Sequence, residues 1–305
     1  MKLTRKSLQI AGALWAVALI AGIGFWLRPV SYFNGMSYAR EALTGVENRE
    51  VTVGGHRMHY LAEGPAGGPV VVLVHGLGGR AEDWTNLAPY FARGGFHVYM
   101  PDLFGYGRSE KPGDFSYSVH DEAGAVVDFM NALGLKQVNL GGWSMGGWIV
   151  QLVAASHPER VKRLMLFDSA GIYERPDWNT DLFMPKTAGD LDQLEALLMP
   201  HPPGIPGFVA RDILRLSAEH RWVIRRAIDS MLTGKDATDD LLPQLKMPVL
   251  ILWGKEDHIT PLVEGKKMQQ LIPQSELLVY VGCGHLAPEQ CTAAMGPAVV
   301  DFAEK

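Results

Sequence analysis

Val138-Asn139-Leu140-Gly141-Gly142-Trp143-Ser144-Met145-Gly146-Gly147 passes from a short apolar run, through a serine flanked by glycines, into a helical pattern extending to Ser156. The pentapeptide Gly142 to Gly146 is a G-x-S-x-G motif set between strand and helix, the setting in which a serine is thrust out on a tight turn. Glycines at 142 and 146 suit such a turn, because a side chain at either position would collide with neighbouring backbone. Ser144 is therefore the candidate nucleophile. Gly147 gives further room for close packing behind the turn.

Working outward, the chain repeats the same strand-to-helix theme. Glu50 to Val53 and His56 to Ala62 flank Gly54-Gly55, a pair suited to a hairpin turn. Val70 to Val74 is a continuous β-branched run, as expected of a strand buried on both faces. Phe96 to Met100, Gln137 to Leu140, Val161 to Phe167, Val249 to Trp253 and Leu277 to Val281 complete eight predicted strands. Helical patterns lie between most of them, at Ala81 to Ala92, Val119 to Leu133, Met145 to Ser156, Pro261 to Leu271 and Pro288 to Phe302. Parallel neighbours need crossover connections, so this alternation predicts a doubly wound, mostly parallel eight-stranded α/β sheet. It breaks between Tyr173 and Lys246, where apolar residues such as Leu191, Leu194, Leu197 and Leu198 recur at helical spacing and no strand is convincing. Residues 173–246 are expected to form a helical cap inserted into a core of residues 49–172 and 247–305.

A serine hydroxyl needs a base to take its proton, and that base needs a carboxylate to orient it. Asp257 follows the strand Val249 to Trp253, and His285 follows Leu277 to Val281 within Gly282-Cys283-Gly284-His285. Both fall at the carboxyl edge of the predicted sheet, the edge that also carries Ser144. Asp168 also ends a strand and competes for the acid role. Asp257 is favoured because its loop is longer and can reach towards His285; Glu256 is a weaker contender. His75-Gly76-Leu77-Gly78-Gly79 follows Val70 to Val74, and a glycine-rich loop there can aim a backbone N–H at an oxygen that becomes negative. Leu77 N–H and Met145 N–H are the expected donors. Neither a P-loop lysine nor a G-x-G-x-x-G spacing follows, so a phosphate cradle is disfavoured, and no cofactor or metal site is expected.

Composition bounds the partners. The formal charge of −5 with no long basic run gives no reason to expect nucleic-acid binding. Cys283 and Cys291 are too few for a disulfide framework; they could pair or remain packing thiols. From Ser7 to Leu27 no residue carries a formal charge, and that length can cross a bilayer as a helix. Lys2, Arg5 and Lys6 before it, and Phe25-Trp26 at its far end, lead us to expect a single-pass membrane anchor at residues 1–28. The catalytic domain would then lie on the non-cytoplasmic side. A cleaved signal peptide is the rival reading. Residues 29–48 would be a connector.

With these motifs goes Pro101-Asp102-Leu103-Phe104-Gly105-Tyr106-Gly107-Arg108-Ser109, a D-x-x-G-x-G-x-S loop. Taken together, residues 50 to 303 resemble the α/β-hydrolase superfamily, and most of all its membrane-anchored monoacylglycerol lipases and related bacterial carboxylesterases. The resemblance implies a triad of Ser144, Asp257 and His285 in that chain order, and a structural role for Asp102. It implies a serine hydrolase cleaving carboxylic esters, with an ester or lipid as its small-molecule partner. Leu286-Ala287-Pro288-Glu289-Gln290 departs from the ending common among relatives. Ser144 argues against epoxide hydrolases and haloalkane dehalogenases, which carry Asp there, whereas carbon–carbon bond hydrolases, perhydrolases and peptidases retain Ser. A non-catalytic binding protein on the same fold is the remaining alternative.

Overall fold

The computed structural model describes residues 5–305. Eight strands form one sheet: β1 (Glu47–Val53), β2 (His56–Glu63), β3 (Val70–Val74), β4 (His97–Pro101), β5 (Val138–Trp143), β6 (Val161–Phe167), β7 (Val249–Gly254) and β8 (Ser275–Tyr280). The helices are α1 (Arg5–Leu27), α2 (Pro29–Thr44), α3 (Ala88–Arg93), α4 (Val119–Ala132), α5 (Met145–Ser156), α6 (Ala188–Leu198), α7 (Gly207–Met231), α8 (Leu262–Leu271), α9 (Ala287–Gln290) and α10 (Thr292–Glu304). Strand order is β1-β2-β4-β3-β5-β6-β7-β8. The hairpin β1–β2 and the β2–β4 pair are antiparallel, and every other neighbour is parallel.

The sheet is apolar on both sides because side chains alternate with a period of two. Val72, Val74, Leu140, Leu164, Leu166, Val249 and Ile251 point into the core shared with α4, α5 and α8. Val71, Leu73, Met165, Phe167, Leu250 and Leu252 point the other way, into the core shared with α3 and α10. A strand buried on both faces cannot alternate apolar with polar, which is why these runs are continuous in sequence. Strand order reverses at β3, with β4 on one side and β5 on the other. Crevices at the carboxyl ends of strands open at such a switch point. The loops after β3 and β5 therefore meet there.

Between β6 and β7 the chain leaves the sheet and forms α6 and α7, the helical insertion that the sequence predicts. Other expectations shift. Ala81 to Ala92 is a 3-10 turn at Ala81–Trp84 followed by α3, and the C-terminal helix is divided into α9 and α10. Residues 29–48 are largely helical, as α2.

The membrane anchor is corrected. No helix among the described residues is long and apolar enough to cross a membrane, so the single-pass anchor at residues 1–28, the non-cytoplasmic placement and the membrane as a partner through that helix do not stand. Lys2, part of the basic start behind that expectation, lies outside the described residues. The aromatic pair read as a membrane-interface anchor has a protein partner instead. Trp26 stacks on Phe208 of α7 with ring centroids 4.7 Å apart, and Phe25 meets Tyr32 and Phe33 of α2 edge to face.

Candidate active site

Ser144 stands between β5 and α5 with φ 56° and ψ −120°, a strained conformation for a residue with a side chain. Two features hold it there. Its N–H donates to the Phe167 carbonyl at 3.0 Å, and the glycines around it admit backbone where a side chain could not fit. A Cβ on Gly146 would drive into the carbonyls of Val74 and His75, and one on Gly142 into Gly146 itself.

His285 reaches Ser144 from the loop after β8. Its Nε2 is 2.9 Å from Ser144 Oγ, and its Nδ1 is 2.8 Å from Asp257 Oδ2. With a carboxylate on one side, Nδ1 carries the proton and Nε2 is left as the acceptor for the serine hydroxyl. Asp257 is buried and well supplied with donors: Oδ1 accepts the N–H groups of Ile259 at 2.7 Å and Thr260 at 3.0 Å. Two tryptophans hold the loops in register. Trp143 Nε1 donates to the His285 carbonyl at 2.8 Å, and Trp253 Nε1 to the Thr260 carbonyl at 2.9 Å. Cys283 and Cys291 are joined as a disulfide that brackets His285.

Thr260 was not visible as a site residue from sequence. Its hydroxyl lies 2.7 Å from Asp257 Oδ2 and 3.2 Å from His285 Nδ1. Only its place three residues past Asp257 hinted at it. Asp168 makes no hydrogen bond or ion pair with His285 among the described residues; its carboxylate accepts Gly254 N–H at 2.6 Å. Glu256 turns away, its carboxylate accepting Gly282 N–H at 2.9 Å, and His258 is exposed.

The glycine-rich loop after β3 runs beside the serine, with Gly76 packed against Ser144 Cβ. Leu77 and Met145 line the same pocket as Ser144. Among the described residues neither N–H has an intramolecular acceptor, so both are available to an incoming oxygen. The loop is fastened from below by His75, whose Nδ1 donates to the Gly76 carbonyl at 2.8 Å while Nε2 accepts Leu103 N–H at 3.0 Å. Burial lowers the pKa of His75, keeping the ring neutral as those two roles require. Asp102 ties the neighbouring loop to β2 through His59 at 2.7 Å and accepts the N–H groups of Ala81 and Arg108. Burial alone would raise its pKa, but these donors hold it below the usual carboxylate value.

Two spaces converge on Ser144. One, of about 310 Å³, is lined by apolar side chains including Met145, Trp148, Ile172, Phe183 and Met231. The other, of about 590 Å³, is more polar, with Arg108, Lys111 and His220 on its walls. Leu191, Leu194 and Leu198 of α6 form one side of the larger space. Val30, Asn34 and Tyr38 of α2, within the segment expected to be a connector, form another. The arrangement can take a proton from Ser144, hold an acyl carbon against it, and stabilise a developing oxyanion. Among the described residues no group of three His, Cys, Asp or Glu side chains is placed to hold a metal.

Known proteins resemble this chain over most of its length. A family model described as alpha/beta hydrolase fold matches residues 69–198 and 233–290. Lipase 1 of Psychrobacter immobilis is 28% identical over 247 residues, covering 76% of each chain. The 2-hydroxymuconate semialdehyde hydrolase of Pseudomonas sp. (strain CF600) is 30% identical over 274 residues, covering 83% of this chain and 93% of its own. Among solved structures, a membrane phospholipase A described as a bacterial virulence factor superimposes with a TM-score of 0.81 at 26% identity, covering 97% of this chain and 98% of its own.

Proposed function

The chain belongs to the α/β-hydrolase fold family, a serine hydrolase by its relatives, and we propose that it cleaves lipid-like carboxylic esters such as monoacylglycerols through an acyl-enzyme on Ser144. The observation that carries this reading is the continuous hydrogen-bonded run from Asp257 through His285 to Ser144 Oγ, opening onto an apolar pocket. Ligand sites of this kind are mostly apolar with a few polar fixings, and about 310 Å³ falls at the lower end of their usual range.

In the proposed reaction, His285 Nε2 takes the Ser144 proton as Oγ bonds to the ester carbon. The carbonyl oxygen becomes an oxyanion held by Leu77 N–H and Met145 N–H, a pair of contacts each worth on the order of 10²–10³ in rate where measured. Collapse of this intermediate breaks the bond to the leaving alcohol, which departs with the proton from His285. Water then repeats the sequence on the acyl-enzyme, His285 again accepting a proton and returning it to Ser144. The acyl chain occupies the smaller pocket. The alcohol leaves through the larger one, whose polar wall suits a hydroxylated head group.

A second reading is carbon–carbon bond hydrolysis, favoured by the relative named 2-hydroxymuconate semialdehyde hydrolase and by the cations Arg108 and Lys111 in the larger space, which would suit a substrate carboxylate. A panel of p-nitrophenyl esters and monoacylglycerols of increasing chain length, run beside a 2-hydroxy-6-oxo-dienoate, separates the two. Ester hydrolysis with the higher kcat/KM is expected; a clear preference for the dienoate would reverse the assignment.

A further inference from the structure

Behind Asp257 lies a second carboxyl that the proposed reaction does not use. Asp168, the residue after β6, is fully buried and held at φ 41°, in the left-handed region that a non-glycine residue keeps only where its surroundings enforce it. Its N–H donates to the Leu252 carbonyl at 2.9 Å. Its Oδ1 accepts Gly254 N–H at 2.6 Å, and its backbone carbonyl accepts the Thr260 hydroxyl at 3.0 Å. Gly254 and Thr260 are the two ends of the loop that carries Asp257. Asp168 therefore grips that loop at both ends.

Its other oxygen is anomalous. Oδ2 is buried with no partner, and the Asp168 carboxyl lies within hydrogen-bonding reach of the Asp257 carboxyl. The titratable groups facing the pair are His285, bonded to Asp257, and Glu264 of α8, which adds a further acidic group. Among the described residues no Lys or Arg forms an ion pair with either aspartate. Two ionised carboxylates in contact would repel, and a buried anionic oxygen without a donor is costly. A proton on Asp168 relieves both problems, since it removes the like charge and turns an orphan acceptor into a donor.

Resting on the triad reading above, we propose that Asp168 is a positioning residue: a carboxylic acid that donates a hydrogen bond to the Asp257 carboxylate and holds that anion in the orientation that serves His285. Burial first, and then the neighbouring Asp257, raise the affinity of Asp168 for its proton well above the carboxylate norm, in keeping with this geometry. The donated bond also spreads the Asp257 charge. The enzyme thereby stays active to lower pH than it would with Asp257 alone.

The test compares purified wild type with Asp168→Asn, Asp168→Ala and Asp257→Asn. Asp168→Asn keeps an N–H donor towards Asp257 and a carbonyl acceptor for Gly254, so its kcat and the acid limb of its pH profile should stay close to wild type. Asp168→Ala should lose on the order of 10²-fold in kcat, the size of effect that misplacement of a catalytic group produces, with KM little changed and the acid limb moved to higher pH. Infrared difference spectra of wild type minus Asp168→Asn should show the C=O stretch of a protonated carboxylic acid at neutral pH, a reading that holds even if Asp168→Ala does not fold. Absence of that band overturns the proposal. So does an Asp168→Asn defect as large as that of Asp257→Asn, expected at about 10⁴, because Asp168 would then be the working anion. A folded Asp168→Ala with wild-type kcat and pH profile overturns it as well. Near-normal activity of Asp257→Asn would instead remove the triad reading, and this proposal with it.

Discussion

Ser144 is placed by strain and then put to use by contact. Its φ of 56° sets the hydroxyl on the crest of the turn, and His285 Nε2, the proposed base, approaches it to 2.9 Å. Replacing either Ser144 or His285 with Ala should lower kcat for a p-nitrophenyl ester by several orders of magnitude, up to ~10⁶ as in the best-measured triad, and the double variant should be little worse than either single one. A fluorophosphonate probe should label wild type and fail on Ser144→Ala. Ester hydrolysis near the wild-type rate by Ser144→Ala would end the proposal. That Ser144, His285 and Asp257 meet at one rim was readable from sequence because each follows a strand at the same sheet edge. Thr260 and the gripping role of Asp168 were not, since a hydroxyl between two partners and a carboxyl behind a loop depend on how loops cross, which no spacing rule encodes.

At the level of elements, α2 carries a helix signal that the segment before it obscures. Pro29 at its first turn and Gly45 at its C-cap, at φ 81°, are the usual brackets of a helix, yet the apolar run before the segment gives it the look of a connector. Its Asn34 and Tyr38 face the larger space, and Tyr38 lies under the Arg108 guanidinium at 4.3 Å. Removing residues 1–28 should leave hydrolysis of a short dissolved ester and of a monoacylglycerol much alike. Removing residues 1–44 should spare the short ester and raise KM for the monoacylglycerol, because one wall of the larger space is gone. Equal KM values for both truncated forms would show that α2 takes no part in binding. The first turn of α8 carries a different liability. Glu264 borders the apolar pocket, and burial first, then Glu174 and Asp257, push its pKa from 4.5 to about 8. Across that interval the folded chain keeps a proton that the unfolded chain releases, so stability present below about pH 4.5 is lost as pH rises towards 8, by at most ~1.4 kcal/mol per pH unit. Glu264→Gln cannot titrate. Its Tm should vary less than that of wild type between those pH values and exceed it at the alkaline end; parallel Tm curves would refute the assignment.

Across the whole molecule, the sheet was the most legible part, because burial on both faces demands the uninterrupted apolar runs at Val70–Val74, residues 164–167 and Val249–Gly254. Helix-to-helix docking was the least legible. Trp26 and Phe25 are as apolar against Phe208 as against lipid, so composition alone does not tell the two apart, and their packing on Phe208 shows only in the structure. That contact belongs to a wider join between the two ends of the larger space. Val30 N–H donates to Asp212 Oδ2 at 3.1 Å across 182 residues of chain, and Arg28 lies 3.8 Å from the same side chain. In kinetic terms the mouth of the active site is a high-contact-order closure. Ordering that much intervening chain is rewarded only once the sheet has brought α2 and α7 near each other. After dilution from denaturant, hydrolysis of a short ester should therefore recover before monoacylglycerol KM reaches its native value, with Asp212→Asn widening the interval. Simultaneous recovery would mean that sheet and mouth fold as one unit. If the order holds, a newly made molecule passes through a stage at which its chemistry is complete and its selectivity is not.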